Sequence, residues 1–154
     1  MATTGHGSAR TPAERRRDTE RRLERDIDLW VATASADGGA HLVPLSFHWD
    51  GDTILLATDP SSPTGRNLEP TGSIRLGLGL VRDVTMIDGD VEPLRLDELP
   101  SERAAAVAAR AGFDPRASTG RMRWYRMHPR SIQAWREADE LADRQLMRDG
   151  RWLA

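Results

Sequence analysis

Ser61, Ser62, Thr64 and Arg66 fall within six residues, and Asn67 follows at once. Hydroxyls, free backbone N–H groups and a guanidinium are the groups that hold a phosphate, and the positive end of a helix adds to their pull. A capped surface turn with a solvated arginine would use the same residues, and the local sequence leaves both readings open. Position favours the phosphate, because the segment joins two strands whose faces look prepared for a ligand. In the first, His41 to Trp49, Val43, Leu45, Phe47 and Trp49 are apolar while Pro44, Ser46 and His48 are not, a period of two. In the second, Ser73 to Leu80, Ile74, Leu76, Leu78 and Leu80 alternate with Arg75, Gly77 and Gly79. Two glycines on one strand face leave room for a ligand or another backbone to approach.

Other residue types offer less. His41 and His48 share no metal-ligand spacing with a third residue, so no metal is expected. His128, beside Pro129, reads as ordinary. Asp83, Asp88, Asp90 and Glu92 read as a solvated strand and turn rather than as an acid and base pair. No G-x-S-x-G elbow supports a hydrolase. Trp124, Tyr125, Trp135 and Trp152 cluster late in a chain only 5% aromatic. They suit core or dimer packing, or a cover over a planar ring near the phosphate turn.

The elements that must position these residues are mostly strands. The expected strands are Ile27 to Ser35, His41 to Trp49, Thr53 to Thr58 and Ser73 to Leu80, then Asp83 to Ile87, Asp90 to Leu96, and a last one from Met122 to Trp135 interrupted at Pro129. Ala36-Asp37-Gly38-Gly39 and Asp50-Gly51 make the hairpin turns. Pro63 to Glu69 reads as a helical turn, and Leu99 to Ala111 as a helix with Ser101 as its cap. Arg136 to Arg148 reads as a partly helical tail. Successive antiparallel hairpins point to a barrel. At the front, Thr11-Pro12-Ala13-Glu14 is a helix start with a capping box. Seven arginines from Arg10 to Arg25 interleave with Glu14, Asp18, Glu20 and Glu24, the pattern of a solvated, salt-bridged helix.

Composition bounds the chemistry. The 154 residues suit one domain, 13–154, behind a disordered tail at 1–12. There is no cysteine, which excludes disulfides and thiol nucleophiles. There is no lysine either: all 22 basic residues are arginine, so no side-chain amine can form a Schiff base. The net charge of -2 gives no overall nucleic-acid footprint. No apolar run approaches a membrane span, and Met1 to Ser8 lacks a signal-peptide core, so a cytoplasmic protein is expected.

From about Asp28 to Trp135 the chain resembles the split β-barrel flavoproteins of the pyridoxamine 5'-phosphate oxidase-like superfamily. The matching stretches are Ala36-Asp37-Gly38-Gly39-Ala40-His41-Leu42-Val43-Pro44-Leu45, then Trp49-Asp50-Gly51, and above all Ser62-Pro63-Thr64-Gly65-Arg66-Asn67-Leu68 before a strand. The ending, Pro129 then Trp135 with Arg144, Arg148 and Trp152 downstream, is similar to the oxidase tail. The resemblance implies a six-stranded antiparallel split barrel, mainly β with flanking helices, that dimerises with two cofactor sites at the interface. Departures from the oxidases matter as well. Pro63 and Thr64 stand where they place an Arg-Lys pair, Ser46 lies near a lysine position, and Glu140-Leu141-Ala142 replaces their substrate-binding Arg-x-His. Pyridoxamine phosphate is therefore rejected as substrate, and the Arg66-Asn67-Leu68 ending resembles the F-420-type reductases better.

The resemblance implies a homodimeric oxidoreductase that moves hydride between bound F-420 or FMN and a small organic molecule. Its alternative is a non-catalytic flavin- or haem-binding protein of the same fold. Pro44, Leu45 and Ser46 would run beside the ring. Ser62, Thr64, Arg66 and Asn67 would take the phosphate, with Arg75 assisting from the next strand. Trp135 and Arg136 of the other subunit would close the site. His48 or Tyr125 is the candidate proton donor, and no nucleic-acid or membrane partner is expected.

Overall fold

The structure, a computed structural model, describes residues 7–118 and 120–154. Nine strands form one antiparallel sheet among the described residues: β1 (Asp28–Ala34), β2 (Ala40–Ser46), β3 (His48–Trp49), β4 (Ile54–Thr58), β5 (Ser73–Leu80), β6 (Asp83–Leu94), β7 (Arg123–Trp135), β8 (Gln145–Arg148) and β9 (Arg151–Trp152). The main path runs β2-β1-β5-β6-β7-β4-β3. Its two ends, β2 and β3, are one run of chain broken only at Phe47, whose N–H bonds the carbonyl of Ile27 at 2.9 Å. Covalent continuity therefore closes the sheet on itself. The protein is mainly β with three helices, a curled antiparallel sheet of the split-barrel kind.

The strand count corrects the sequence expectation of six. The run from His41 to Trp49 breaks at Phe47: β2 pairs with β1 and β3 with β4, so its two parts stand at opposite ends of the sheet's path. The two strands expected at Asp83 to Ile87 and Asp90 to Leu96 are one strand, β6, with a register shift at Asp88 and Gly89. A Cβ on Gly89 would lie 2.3 Å from the carbonyl oxygen of His128, so only glycine lets the two backbones approach there. Pro129 pairs with Gly89 inside a continuous β7 rather than ending it. The tail after Arg136 holds one 3-10 turn, Ala138–Glu140, and then the hairpin β8–β9. Its turn, Asp149-Gly150, has positive φ at both residues.

Helix α1 (Pro12–Arg25) begins with the expected box: Thr11 Oγ1 accepts from the Glu14 N–H at 3.2 Å, and the Glu14 carboxylate accepts from the Thr11 N–H at 2.7 Å. It is not solvated all round. Arg15, Thr19 and Leu23, four residues apart, are buried against the barrel. The Arg15 guanidinium donates to the carbonyls of Ala134 (3.2 Å) and Asp143 (2.8 Å) and pairs with the Asp143 carboxylate. Residues 1–6 of the expected loose tail lie outside the described residues. Arg10, in its described part, bonds the buried Glu140 at 2.8 Å and Asp18 at 2.9 Å. Helix α2 (Pro63–Thr71) packs on β1 and β2, and α3 (Ser101–Ala111) lies outside the barrel. Pro100, not Ser101, holds the N-cap of α3, so the serine is the first helical residue.

Two apolar clusters result. Leu29, Val31, Leu56, Ile87, Tyr125 and Met127 help fill the barrel. Leu55 and Trp124 point the other way and are covered by Leu99, Ala104 and Val107 around α3. Burial on both faces explains why β4 reads as an unbroken apolar run.

Candidate functional site

The start of α2 is built for close approach. Ser62 caps it, its Oγ accepting from the Gly65 N–H at 3.1 Å and donating to the Asp59 carbonyl at 2.7 Å. A Cβ on Gly65 would stand 2.4 Å from that carbonyl and 2.5 Å from the Cα of Pro60, so glycine alone lets the helix sit against the preceding loop. Thr64 is buried, and Asn67 donates from Nδ2 to Thr33 Oγ1 at 3.0 Å, fastening α2 to β1. Arg66 is exposed and makes no ion pair among the described residues, whereas nearby Arg123 is spent on Glu69 at 3.0 Å. Asp59 accepts from the N–H and hydroxyl of Ser61, and those bonds hold its carboxyl below the ordinary carboxylate range, aided by the charge of Arg121. Arg121 is a residue that sequence reasoning missed. Like Arg66 it is exposed and makes no ion pair among the described residues.

Beside this turn lies a cavity of about 460 Å³ between β2, β4 and α3. Pro44, Leu45 and Ser46 line one wall, and Phe113, Met122 and Trp124 line another. Thr58 also lines it, and its Oγ1 lies 3.2 Å from the Ser62 Oγ. One hydrogen-bonded step therefore links the cavity wall to the cap of α2. This size and mostly apolar lining are those of a small-molecule pocket. A ligand with a flat apolar ring and an acidic group matches it: walls for the ring, a helix N-terminus with an unpaired arginine for the anion.

The other expected site residues lie elsewhere. Arg75 holds Asp88 in a bidentate pair, 2.5 and 3.2 Å, on the outer sheet face. Trp135 pairs with Val84 at the far end of β7 from Arg123, which pairs with Thr58. Arg136 pairs with Asp83 at 3.1 Å. Within one protomer, then, Trp135 and Arg136 do not meet the α2 turn. The open face of Gly79 is filled from within the chain: a Cβ there would clash with the Arg22 guanidinium, which donates to the Asp83 carbonyl at 2.8 Å. The acidic run, expected to be solvated, is instead ion-paired: Asp83 to Arg22, Asp88 to Arg75, Asp90 to Arg130 and Glu92 to Arg126.

Neither candidate proton donor lines the cavity. Tyr125 faces the barrel interior and donates to Glu69 at 2.9 Å, and burial followed by that bond pushes its hydroxyl pKa up. His48 pairs with Leu55 on the side facing α3, and its Nδ1 is buried without a partner. Burial, then the charges of Arg103 and Arg110, lowers its pKa, so it is neutral at pH 7. No group of histidine and acidic side chains among the described residues could hold a metal ion. No described helix is long and apolar enough to cross a membrane.

Comparisons with known proteins bear on the fold and the family. No curated protein sequence matches the chain. Among solved structures it is similar to an F-420 reductase, at 19% identity and a TM-score of 0.60, over 73% of this chain and 94% of that one. It is similar to HutZ, the heme storage protein of Vibrio cholerae, at 14% identity and a TM-score of 0.66, over 88% and 97%. It is also similar to general stress protein 26 of Bacillus anthracis, at 16% identity and a TM-score of 0.57, over 77% and 92%. At these identities the likeness concerns the fold. The sequence model of the pyridoxamine 5'-phosphate oxidase family matches residues 18–136, and the chain belongs to that family.

Proposed function

We propose that the protein is a homodimeric oxidoreductase that binds F-420 or FMN and exchanges hydride with a small organic molecule. The observation that carries this reading is the continuity of the apolar cavity with the α2 cap through Thr58 and Ser62, with Arg66 unpaired at the anionic end. Either cofactor, once bound, supplies the hydride chemistry through its ring. The chain's own part is positioning. Pro44, Leu45 and Ser46 flank the ring, Phe113 and Trp124 exclude water, and Arg66 with the first turn of α2 holds the phosphate. Thr64 packs that turn and Asn67 ties it to β1. Neutral His48, next to the Phe47 wall, can take or give a proton only through a small movement or a water.

The dimer is part of the same reading. Trp30, Leu42, Leu80 and Val81 are 51%, 60%, 73% and 97% exposed and line or edge one apolar groove on the sheet face. That groove continues past Trp30, Gly77 and Gly79 to Asp28 and Pro44, which also line the cavity. A second copy seated there would wall the cavity and bring Trp135 and Arg136 to the partner's site.

A haem-holding protein is the second reading, supported by the fold likeness to HutZ. Against it, among the described residues no histidine or tyrosine lines the cavity, the chain has no cysteine, and Met122 is the one lining side chain of a kind that ligates haem iron. Fluorescence titration of the apoprotein with FMN and F-420, beside an absorbance titration with haemin, separates the cases. Binding of a flavin-type cofactor, followed by oxidation of its reduced form on adding an acceptor, is the expected result. Haemin binding alone would overturn the reading.

A further inference from the structure

The cavity has one polar group that a phosphorylated ring does not use. Asp28 lines it from β1, on the other side of β2 from Thr58. Its Oδ1 accepts from the Ser46 Oγ at 2.7 Å, which fixes the carboxylate's orientation and leaves the second oxygen free. Asp28 makes no ion pair among the described residues, although 22 arginines crowd this chain and nearly every other strand acid has one. Among the described residues no basic side chain lines the cavity. Arg110, which reaches the chain just before β1, donates to the carbonyl of Asp26 at 2.7 Å and is not among the lining residues. The cavity thus ends in an anion-seeking helix start on one side and a lone carboxylate on the other, with aromatic walls between.

We infer that Asp28, oriented by Ser46, selects a second ligand, the substrate, that carries a protonated amine or amidine on a flat apolar body. A cation there meets a carboxylate with no competing positive charge from the described lining of its own chain, and the rings of Phe113 and Trp124 favour it further. A carboxylate-bearing substrate would meet repulsion at the same place. This rests on the reading of the cavity as the ring pocket.

Two flat tricyclic probes of opposite charge test it: 9-aminoacridine, a cation at pH 7, and 9-anthracenecarboxylate. Each is titrated into the full-length protein in phosphate buffer, which occupies the anionic end, and followed by probe fluorescence. The wild type should bind the cation about fivefold tighter than the anion, the size of a partly exposed ion pair. Asp28→Asn should bring the two affinities to within about twofold at an unchanged melting temperature. Equal binding of both probes by the wild type would overturn the inference and leave the ring pocket standing. So would a preference for the cation that survives Asp28→Asn. Failure of both probes to bind would overturn the ring pocket, and the inference with it.

Discussion

The two ends of the barrel use the same residue type in opposite ways. On the barrel-facing side of α1, arginines are spent: Arg10 on Glu140 and Asp18, Arg15 on two carbonyls and Asp143, Arg22 on Asp83, while Arg17 and Arg25 face solvent. Beside α2, Arg66 and Arg121 face solvent without ion-pair partners among the described residues, and the neighbouring cavity keeps Asp28, likewise without one. A chain without lysine must make its structural clamps and its ligand contacts from the same guanidinium. What separates them is the partner. Where a guanidinium is buried and matched inside the chain, the element is being held, and where charges are left over beside a cavity, a ligand is the natural partner.

The clamp end should show the largest effect on stability. Glu140→Gln removes a buried charge that accepts from the Arg10 and Arg136 N–H groups and from the Arg10 guanidinium. It should cost about 3 kcal/mol in chemical denaturation, the scale for breaking a buried pair. It should also change the pH profile. The hydrogen bond from Arg10, outweighing burial, holds the Glu140 pKa down from 4.5 to about 2. A lowered acid stabilises the fold fully above its unfolded pKa and loses that contribution as pH falls through the folded one. The wild type should therefore lose its advantage over Glu140→Gln between pH 4.5 and about 2, read from melting temperatures of both proteins.

At the other end, effects should fall mainly on binding. Gly65→Ala forces a methyl into the Asp59 carbonyl and should cost about 2 kcal/mol of stability by overpacking, with loss of cofactor affinity as the α2 start shifts. Val81→Glu places a charge on the most exposed apolar residue of the groove, in the turn between β5 and β6. It should weaken self-association by about 1.5 kcal/mol, seen as a shift toward monomer in sedimentation at fixed concentration. A wild type that is already monomeric would remove the dimer from the account.

The barrel was legible in the sequence because its signals are local. Alternation in β2 and β5, the turn at Asp37-Gly38-Gly39, the Thr11–Glu14 box and the Ser62 cap all depend on near neighbours. The break at Phe47 was not, since alternation continues through it and only the pairing of β2 with β1 and of β3 with β4 shows where the run changes partner. The β8–β9 hairpin carried a usable signal, Asp149-Gly150, that the acidic run before it obscured. Arginine partners were illegible for a plainer reason: with 22 arginines and 24 acids, which ones meet is decided by tertiary approach. So Gly79 was read as space for a ligand when Arg22 fills it. For the site, the residues of the α2 turn and of Pro44 to Ser46 could be named in advance, whereas Arg121 and Asp28 became visible only beside the cavity.

The central claim is that Arg66 is unpaired because it holds a ligand's phosphate. Titration of F-420 and FMN into the wild type and into Arg66→Ala tests it most directly. At least one cofactor should bind the wild type, and the variant should bind it about tenfold more weakly, near 1.4 kcal/mol, with stability changed by less than about 0.5 kcal/mol. Equal affinities for the two proteins would contradict the claim, and would return the α2 turn to a capped surface loop with a solvated arginine.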